Sequence, residues 1–253
     1  MQTLATAFLD TKYTGDPIQM PYPSLNDIDF RTGELAMLAG APGGGKTLFA
    51  TNWAINTSDP LIYFAQEHPH SIKSRLAALA LDKFVSEIKD ADPDYWYERL
   101  TEHKRASLIQ VPAPTTVVEI EHYIIAYEEW WMSRPRLIFL DNIKDMKVEG
   151  FHHQETGYWA TLLPELKNLA QEENVGIVGL HHVGRGDADD GTKRISMTDL
   201  LHSGERDARH VWGVYRDAWR DRINFQVLKQ TDGPSDWETR FDWDAQRGRL
   251  WSR

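Results

Sequence analysis

The chain has 253 residues, 41% hydrophobic and 26% charged, enough apolar material for a core and too much for wholesale disorder. Its 28 basic and 38 acidic side chains leave a net charge of −10, which argues against coating nucleic acid by bulk electrostatics. A local basic strip, or one assembled by several subunits, stays open. The absence of cysteine excludes a disulfide framework, a thiolate zinc site and a cysteine nucleophile.

Domains usually hold about 100–200 residues and α/β domains often reach about 250, so one sizeable domain is expected. No apolar run approaches the roughly 18 residues of a membrane span. The N-terminus lacks a basic stretch followed by an apolar one, so no signal peptide and no membrane partner are expected. The chain reads as soluble and cytoplasmic.

Residues 1–34 are mixed, with Pro17, Pro21 and Pro23 close together, and read as an irregular lead-in, of which 1–20 precedes the domain. ELAMLAG, at 34–40, is a short apolar run ending in glycine and predicts a buried strand. Apolar residues at helical spacing predict a helix over 46–56, and LIYFAQE predicts the next strand over 61–67. Helical periodicity continues over 71–87. Residues 88–106 are charged and aromatic, a surface excursion with a short helix, and 107–114 offers a third strand. Thr116, with Glu119 three residues on, predicts the capped start of a helix running to Met132.

RLIFLDNI, at 136–143, is a clear buried strand; 154–173 is a long amphipathic helix; NVGIVGLHH, at 174–182, is another central strand. After a polar stretch over 184–194, two late strands follow at 210–217 and 222–230, and 237–251 closes as a hairpin. Strands alternating with helices predict an α/β fold with a mostly parallel central sheet and helices on both faces. The late strands have no helices between them and predict an antiparallel edge extension.

Residues 40–47 read Gly40-Ala41-Pro42-Gly43-Gly44-Gly45-Lys46-Thr47 and satisfy G-x-x-x-x-G-K-[ST]. Gly40, Gly43, Gly44 and Gly45 let successive backbone N–H groups turn inward around phosphates, and the following helix adds its positive end. Lys46 is expected to reach the β- and γ-phosphates of ATP, and Thr47 to hold Mg²⁺. A chance glycine-rich turn would not follow an apolar strand and open a helical pattern, as this motif does. Asp141 ends the strand RLIFLD, at the sheet edge where α/β ligands bind. It is placed to order Mg²⁺, or else to cap a loop. Glu67 ends the strand after the P-loop helix; it fits a general base for the attacking water and equally an exposed strand-end acid. His181 and His182 end a strand and point to opposite faces, so that one fits a γ-phosphate contact while the other packs or faces solvent; a purely structural histidine is the competing reading.

This ordered set resembles the RecA-fold ATPase core of the DnaB-type replicative helicases, from about Pro21 to Trp251. PYPSLNDI and GELAMLAGAPGGGKT look like that family's entry segment and Walker A. YFAQEHPHSIKSRLAALA resembles its next strand and helix, LIFLDNI its Walker B, and VGIVGLHHVGR the strand whose last residue senses the γ-phosphate. ISMTDLLHSGERDARHVWGVYRD resembles its DNA-loop region, and LKQTDGP its K-Q-R-x-G-P motif. The resemblance implies a RecA-like P-loop NTPase domain over 21–253. Glu67 would be the catalytic base and His182 the sensor, and Lys229 would reach the ATP of a neighbouring subunit. It further implies single-stranded DNA as partner and a homo-oligomeric, hexameric ring.

Two departures stand out. The family's trans-acting arginine position holds Thr231, and such an arginine contributes about 10³–10⁵ in rate. Arg240 is a candidate substitute; otherwise hydrolysis between subunits is weak. The family's N-terminal domain, which helps form the ring and bind primase, has no counterpart here, so a primase partner is doubtful. Compact single-domain versions of this core occur among phage-encoded proteins, making a phage origin an expectation.

DNA contacts are expected from Gly184–Lys193 and Thr198–Asp207, with Arg185, Lys193, Arg194 and Ser203 as candidates. Asp187, Asp189 and Asp190 leave the first loop close to neutral, so a solvated loop is the competing reading. His152-His153 and His181-His182, with these aspartates, also suit a divalent metal, though adjacent strand histidines point apart. Trp130-Trp131 suggests an exposed interaction patch. Three functions follow: an ATP-driven helicase or translocase on single-stranded DNA, a metal-dependent nuclease or junction-processing protein on the same fold, and a non-motor ATP switch.

Overall fold

The apolar runs assemble into one nine-stranded sheet in a computed structural model that describes residues 15–65, 69–90, 92–102, 108–112, 116–152, 155–183, 191–200, 206–217 and 219–252. The strands are β1 (Leu35–Gly40), β2 (Leu61–Ala65), β3 (Ile109–Pro112), β4 (Leu137–Asp141), β5 (Gly176–His182), β6 (His210–Arg216), β7 (Arg222–Gln230), β8 (Trp237–Asp244) and β9 (Arg249–Ser252). Their order across the sheet is β3-β2-β4-β5-β1-β6-β7-β8-β9. The sheet is parallel from β3 to β6, and β7, β8 and β9 add antiparallel pairs at one edge. The sequence predicts that both late strands belong to the antiparallel extension. The structure instead pairs β6 in parallel with β1, Ala36 opposite His210, so the extension begins at β7.

Among the described residues six α-helices form: α1 (Lys46–Asn56), α2 (Pro69–Leu81), α3 (Val85–Asp90), α4 (Pro93–Thr101), α5 (Val117–Trp131) and α6 (Thr156–Glu173). Successive strand side chains point to opposite faces. Ala36, Leu38, Leu61, Tyr63, Leu137, Phe139, Val178 and Leu180 therefore pack with Phe49, Ala50 and Trp53 of α1 and Ile72 and Leu76 of α2. Leu35, Met37, Ile62, Phe64, Ile138, Leu140 and Ile177 pack on the other face, against α5 and α6. Ile18 and Met20, in the segment before β1, are buried in the first of these cores. Among the described residues no helix is long and apolar enough to cross a membrane.

The sequence predicts one helix over 71–87, and the structure breaks it. Asp82 adopts φ 55°, and the Lys83 N–H closes back on the Ala78 carbonyl, ending α2 as a left-handed residue ends many helices. α3 restarts with the Phe84 N–H on the Glu87 carboxylate and the Val85 N–H on the Gln246 carbonyl. The apolar period runs through the break, so periodicity alone does not register it. At α5 the Thr116 side chain accepts from the Glu119 N–H at 3.3 Å, the cap the sequence predicts. Trp130, near its C-terminus, is 79% exposed.

Candidate nucleotide-binding site

Three strands of the parallel body direct side chains to one place. Tyr63, Asp141 and His182 share the face that carries α1, because each is an even number of residues from a side chain in that core. The P-loop enters α1 at the same edge: Gly45 is its N-cap, with φ 104°, and the Phe49 N–H bonds the Gly45 carbonyl. A Cβ on Gly45 would meet Ile223 Cδ1 at 2.8 Å, and one on Gly40 would meet the Val214 carbonyl oxygen at 2.7 Å. Glycine at 40 and 45 thus lets the loop lie directly on β6 and β7.

Lys46 is 4% exposed. Its ammonium donates to the Gly40 carbonyl at 2.7 Å and the Ala41 carbonyl at 3.0 Å, and lies 3.1 Å from His182 Nδ1. Burial lowers the Lys46 pKa to about 8; Asp141 opposes that shift and Lys144 adds to it. Burial, with the nearby charge of Lys46, pushes His182 down to about 3. The imidazole is therefore neutral in ordinary buffers, and its Nδ1 is an acceptor for the ammonium.

Asp141 is 4% exposed. Its Oδ2 accepts from the Thr47 hydroxyl at 2.8 Å and the Tyr63 hydroxyl at 3.0 Å. A hydroxyl and a carboxylate side by side are hard oxygen donors of the kind Mg²⁺ takes beside a nucleotide, so these residues fit that ion. Tyr63 is a member of the cluster that the sequence reading misses. It stands inside an apolar strand and reads there as core, and only the pairing of Ala65 with Asp141 in neighbouring strands puts its hydroxyl in reach.

Of the other expected site residues, Glu67, Arg185 and Ser203 lie outside the described residues. His181 packs edge-on against Trp159 with ring centroids 4.9 Å apart, on the face away from His182. Among the described residues no group of three His, Asp or Glu side chains is arranged to hold a metal ion; His153 and Asp187, Asp189 and Asp190 fall outside them. Arg194 pairs with Glu238 at 3.4 Å, and its side chain stays 63% exposed.

Lys229 and Thr231 are not near the P-loop. β7 runs antiparallel to β6, with Lys229 opposite Val211 at the start of β6. Its ammonium donates to the Ala208 carbonyl at 2.7 Å, and the Thr231 hydroxyl donates to the Arg209 carbonyl at 3.0 Å. Both line a cavity of about 1130 Å³ shared with Glu34, Arg206, Arg209 and Asp232. Within it the Arg209 guanidinium is bonded to Glu34 and Asp232. Arg240 pairs with Asn224 at the P-loop end of β7, five residues and roughly 17 Å of strand from Lys229. It therefore shares no site with Lys229 and Thr231.

Residues 22–249 match the family model described as the DnaB-like helicase C terminal domain. The gene 65 protein of Mycobacterium phage L5 is 24% identical over 239 residues, covering 88% of this chain and 86% of that protein. The replicative DNA helicase DnaB of Pasteurella multocida (strain Pm70) is 27% identical over 202 residues, 73% of this chain but 42% of its own length. Among solved structures, the ATPase domain of G40P superposes with a TM-score of 0.77 at 18% identity, covering 99% of this chain and 97% of that one.

Proposed function

The chain belongs to the DnaB-like helicase C-terminal domain family and is an ATPase, and from that premise we propose that it is a motor translocating on single-stranded DNA as a homo-oligomeric ring. The observation that carries the proposal is the convergence of Lys46, Thr47, Asp141 and His182 through hydrogen bonds at one sheet edge, with Lys229 at the opposite edge. One half of the site faces out at each end of the sheet. A head-to-tail neighbour would bring the halves together.

In this mechanism the P-loop N–H groups and Lys46 hold the β- and γ-phosphates of ATP. Thr47 and Asp141 would hold Mg²⁺, and the ion would supply positive charge to the phosphates. Tyr63 fixes the Asp141 carboxylate by a second hydrogen bond. Glu67 takes the proton of the attacking water. His182, neutral and accepting from Lys46 at Nδ1, offers its Nε2–H to the γ-phosphate once Lys46 turns to the phosphates, and so registers its presence. Lys229 supplies positive charge to the neighbour's nucleotide in the transition state. Lys193 and Arg194 contact DNA phosphates.

Steady-state ATP hydrolysis against protein concentration, with and without single-stranded DNA and beside Lys46→Ala, tests the proposal. A rate per chain that rises cooperatively with concentration, is stimulated by DNA and vanishes in Lys46→Ala is the expected result. Slow turnover that ignores both concentration and DNA would overturn the motor and favour a nucleotide switch.

A further inference from the structure

Gly191, in the segment after β5, is buried and adopts φ 74°. A Cβ there would come 2.6 Å from the Gly44 nitrogen and 2.8 Å from the Gly43 carbonyl carbon. Both are backbone atoms of the P-loop, so no side-chain rotation relieves the overlap. The Gly191 carbonyl accepts from the Arg216 N–H at 2.8 Å, so this residue rests on the P-loop while bonded to the end of β6.

The far end of the same segment is pinned as well. Ile195 is 3% exposed, and its N–H donates to Gln226 Oε1 at 2.9 Å. The Ser196–Asp199 capping box then closes the next turn. Lys193 and Arg194 stand between these anchors, two and three residues from the P-loop contact. The Gly44 N–H donates to the Ala41 carbonyl at 3.0 Å. A phosphate oxygen that took this N–H from the Ala41 carbonyl would turn the peptide plane on which Gly191 sits.

We propose that Gly191 is a positioning residue that transmits phosphate occupancy from the P-loop backbone to the DNA-contacting segment 191–195, by direct backbone contact and independently of His182. This rests on the reading of Lys193 and Arg194 as DNA contacts. Lack of a side chain at 191 is what permits the contact, and the bond to Arg216 gives the moving segment a fixed pivot on β6.

The test is anisotropy of a labelled oligothymidine, with and without a non-hydrolysable ATP analogue, for the full chain, Gly191→Ala and Gly150→Ala. Gly150 has φ 80° with nothing within 4 Å of an added Cβ, so its variant carries the left-handed backbone cost without the P-loop contact. The wild type and Gly150→Ala are expected to bind DNA about tenfold more tightly with nucleotide, within the usual range of coupling. Gly191→Ala is expected to lose this factor at nucleotide concentrations that saturate it, and to melt below Gly150→Ala because its Cβ also overlaps the P-loop backbone. Retention of the full factor in Gly191→Ala overturns the inference alone. A wild type with no linkage between nucleotide and DNA overturns the motor reading, and the inference with it. If Gly191→Ala does not fold, hydrogen exchange on the wild type decides: nucleotide must change protection across 191–200, and unchanged exchange there overturns the inference.

Discussion

Lys46 makes ATP binding a proton-uptake reaction above neutral pH. Its ammonium is buried beneath the P-loop, where desolvation brings its pKa from 10.5 to about 8. A lysine shifted this way costs about 3 kcal/mol while it is charged in both folded and unfolded chains, below pH 8. The cost fades as pH climbs from 8 toward 10.5, because the unfolded chain then holds the extra proton and stability rises with pH. Phosphate oxygens replace the water that the lysine lost and return its pKa to the ordinary range or above. At pH 9 the free protein holds about 0.1 proton on Lys46 and the complex nearly a full one, so binding takes up about 0.9 proton. At pH 7 the same arithmetic gives about 0.1. Titration calorimetry of a non-hydrolysable ATP analogue, run at pH 9 in two buffers of different ionisation enthalpy, reads this number directly. An uptake below about 0.2 proton at pH 9 would refute the reasoning, since it would mean that the buried lysine is already fully charged.

Three further outcomes follow from the same site. Tyr63→Phe removes a hydrogen bond to a buried carboxylate, worth about 1.5–3 kcal/mol, so the melting temperature should fall by about 3–10 °C and half-saturation by Mg²⁺ should need severalfold more ion; an unchanged melting curve and Mg²⁺ titration would remove Tyr63 from the cluster. Thr231→Arg restores a guanidinium beside Lys229 and should raise ATP turnover at least about tenfold, only at concentrations where the chain is oligomeric; a rate that does not move, or moves equally in dilute protein, speaks against a shared site. His182, held at about 3, contributes no protonation step to the rate between pH 5 and 7. The unfolded chain binds that proton more readily, so the group costs stability as pH falls from 6.5 toward 3. A rate limb near pH 6.5 that disappears in His182→Gln would contradict this.

What the sequence makes legible here is what repeats locally. Unbroken apolar runs along ELAMLAG, LIYFA and LIFLD mark buried strands, as the structure has them, and the glycine pattern at 40–45 by itself announces a backbone cradle. What it hides depends on pairing. Tyr63 is indistinguishable from a core aromatic until β2 is set in register with β4. β6 reads as one of two similar late strands, and only its pairing with β1 makes it part of the parallel body. Asp82 breaks a helix whose apolar period continues across it, because one left-handed residue costs too little to disturb the pattern. Gly191 lies in a polar stretch rich in Gly and Asp, where a glycine that packs and a glycine that merely turns look alike.

The two cations of the proposed reaction lie on one sheet but at opposite ends of it. Gly40 closes β1 at the P-loop edge, while Thr231 bonds Arg209, just before β6 and level with the start of β1. Five residues of strand separate those levels, roughly 17 Å, and both strands are buried in the core. A single chain cannot bring Lys46 and Lys229 to one γ-phosphate without dismantling β1 and β6. Two copies can do so if the P-loop edge of one faces the opposite edge of the next. Such a contact uses different surfaces on the two partners, so each copy still offers one free edge, and the series must close into a ring or continue as a filament. Oligomerisation and full hydrolytic rate are then the same event. That is why the turnover of Thr231→Arg has to be read against protein concentration: a guanidinium that helps only in the assembled state is acting on a neighbour's nucleotide, whereas one that helps a dilute monomer is not.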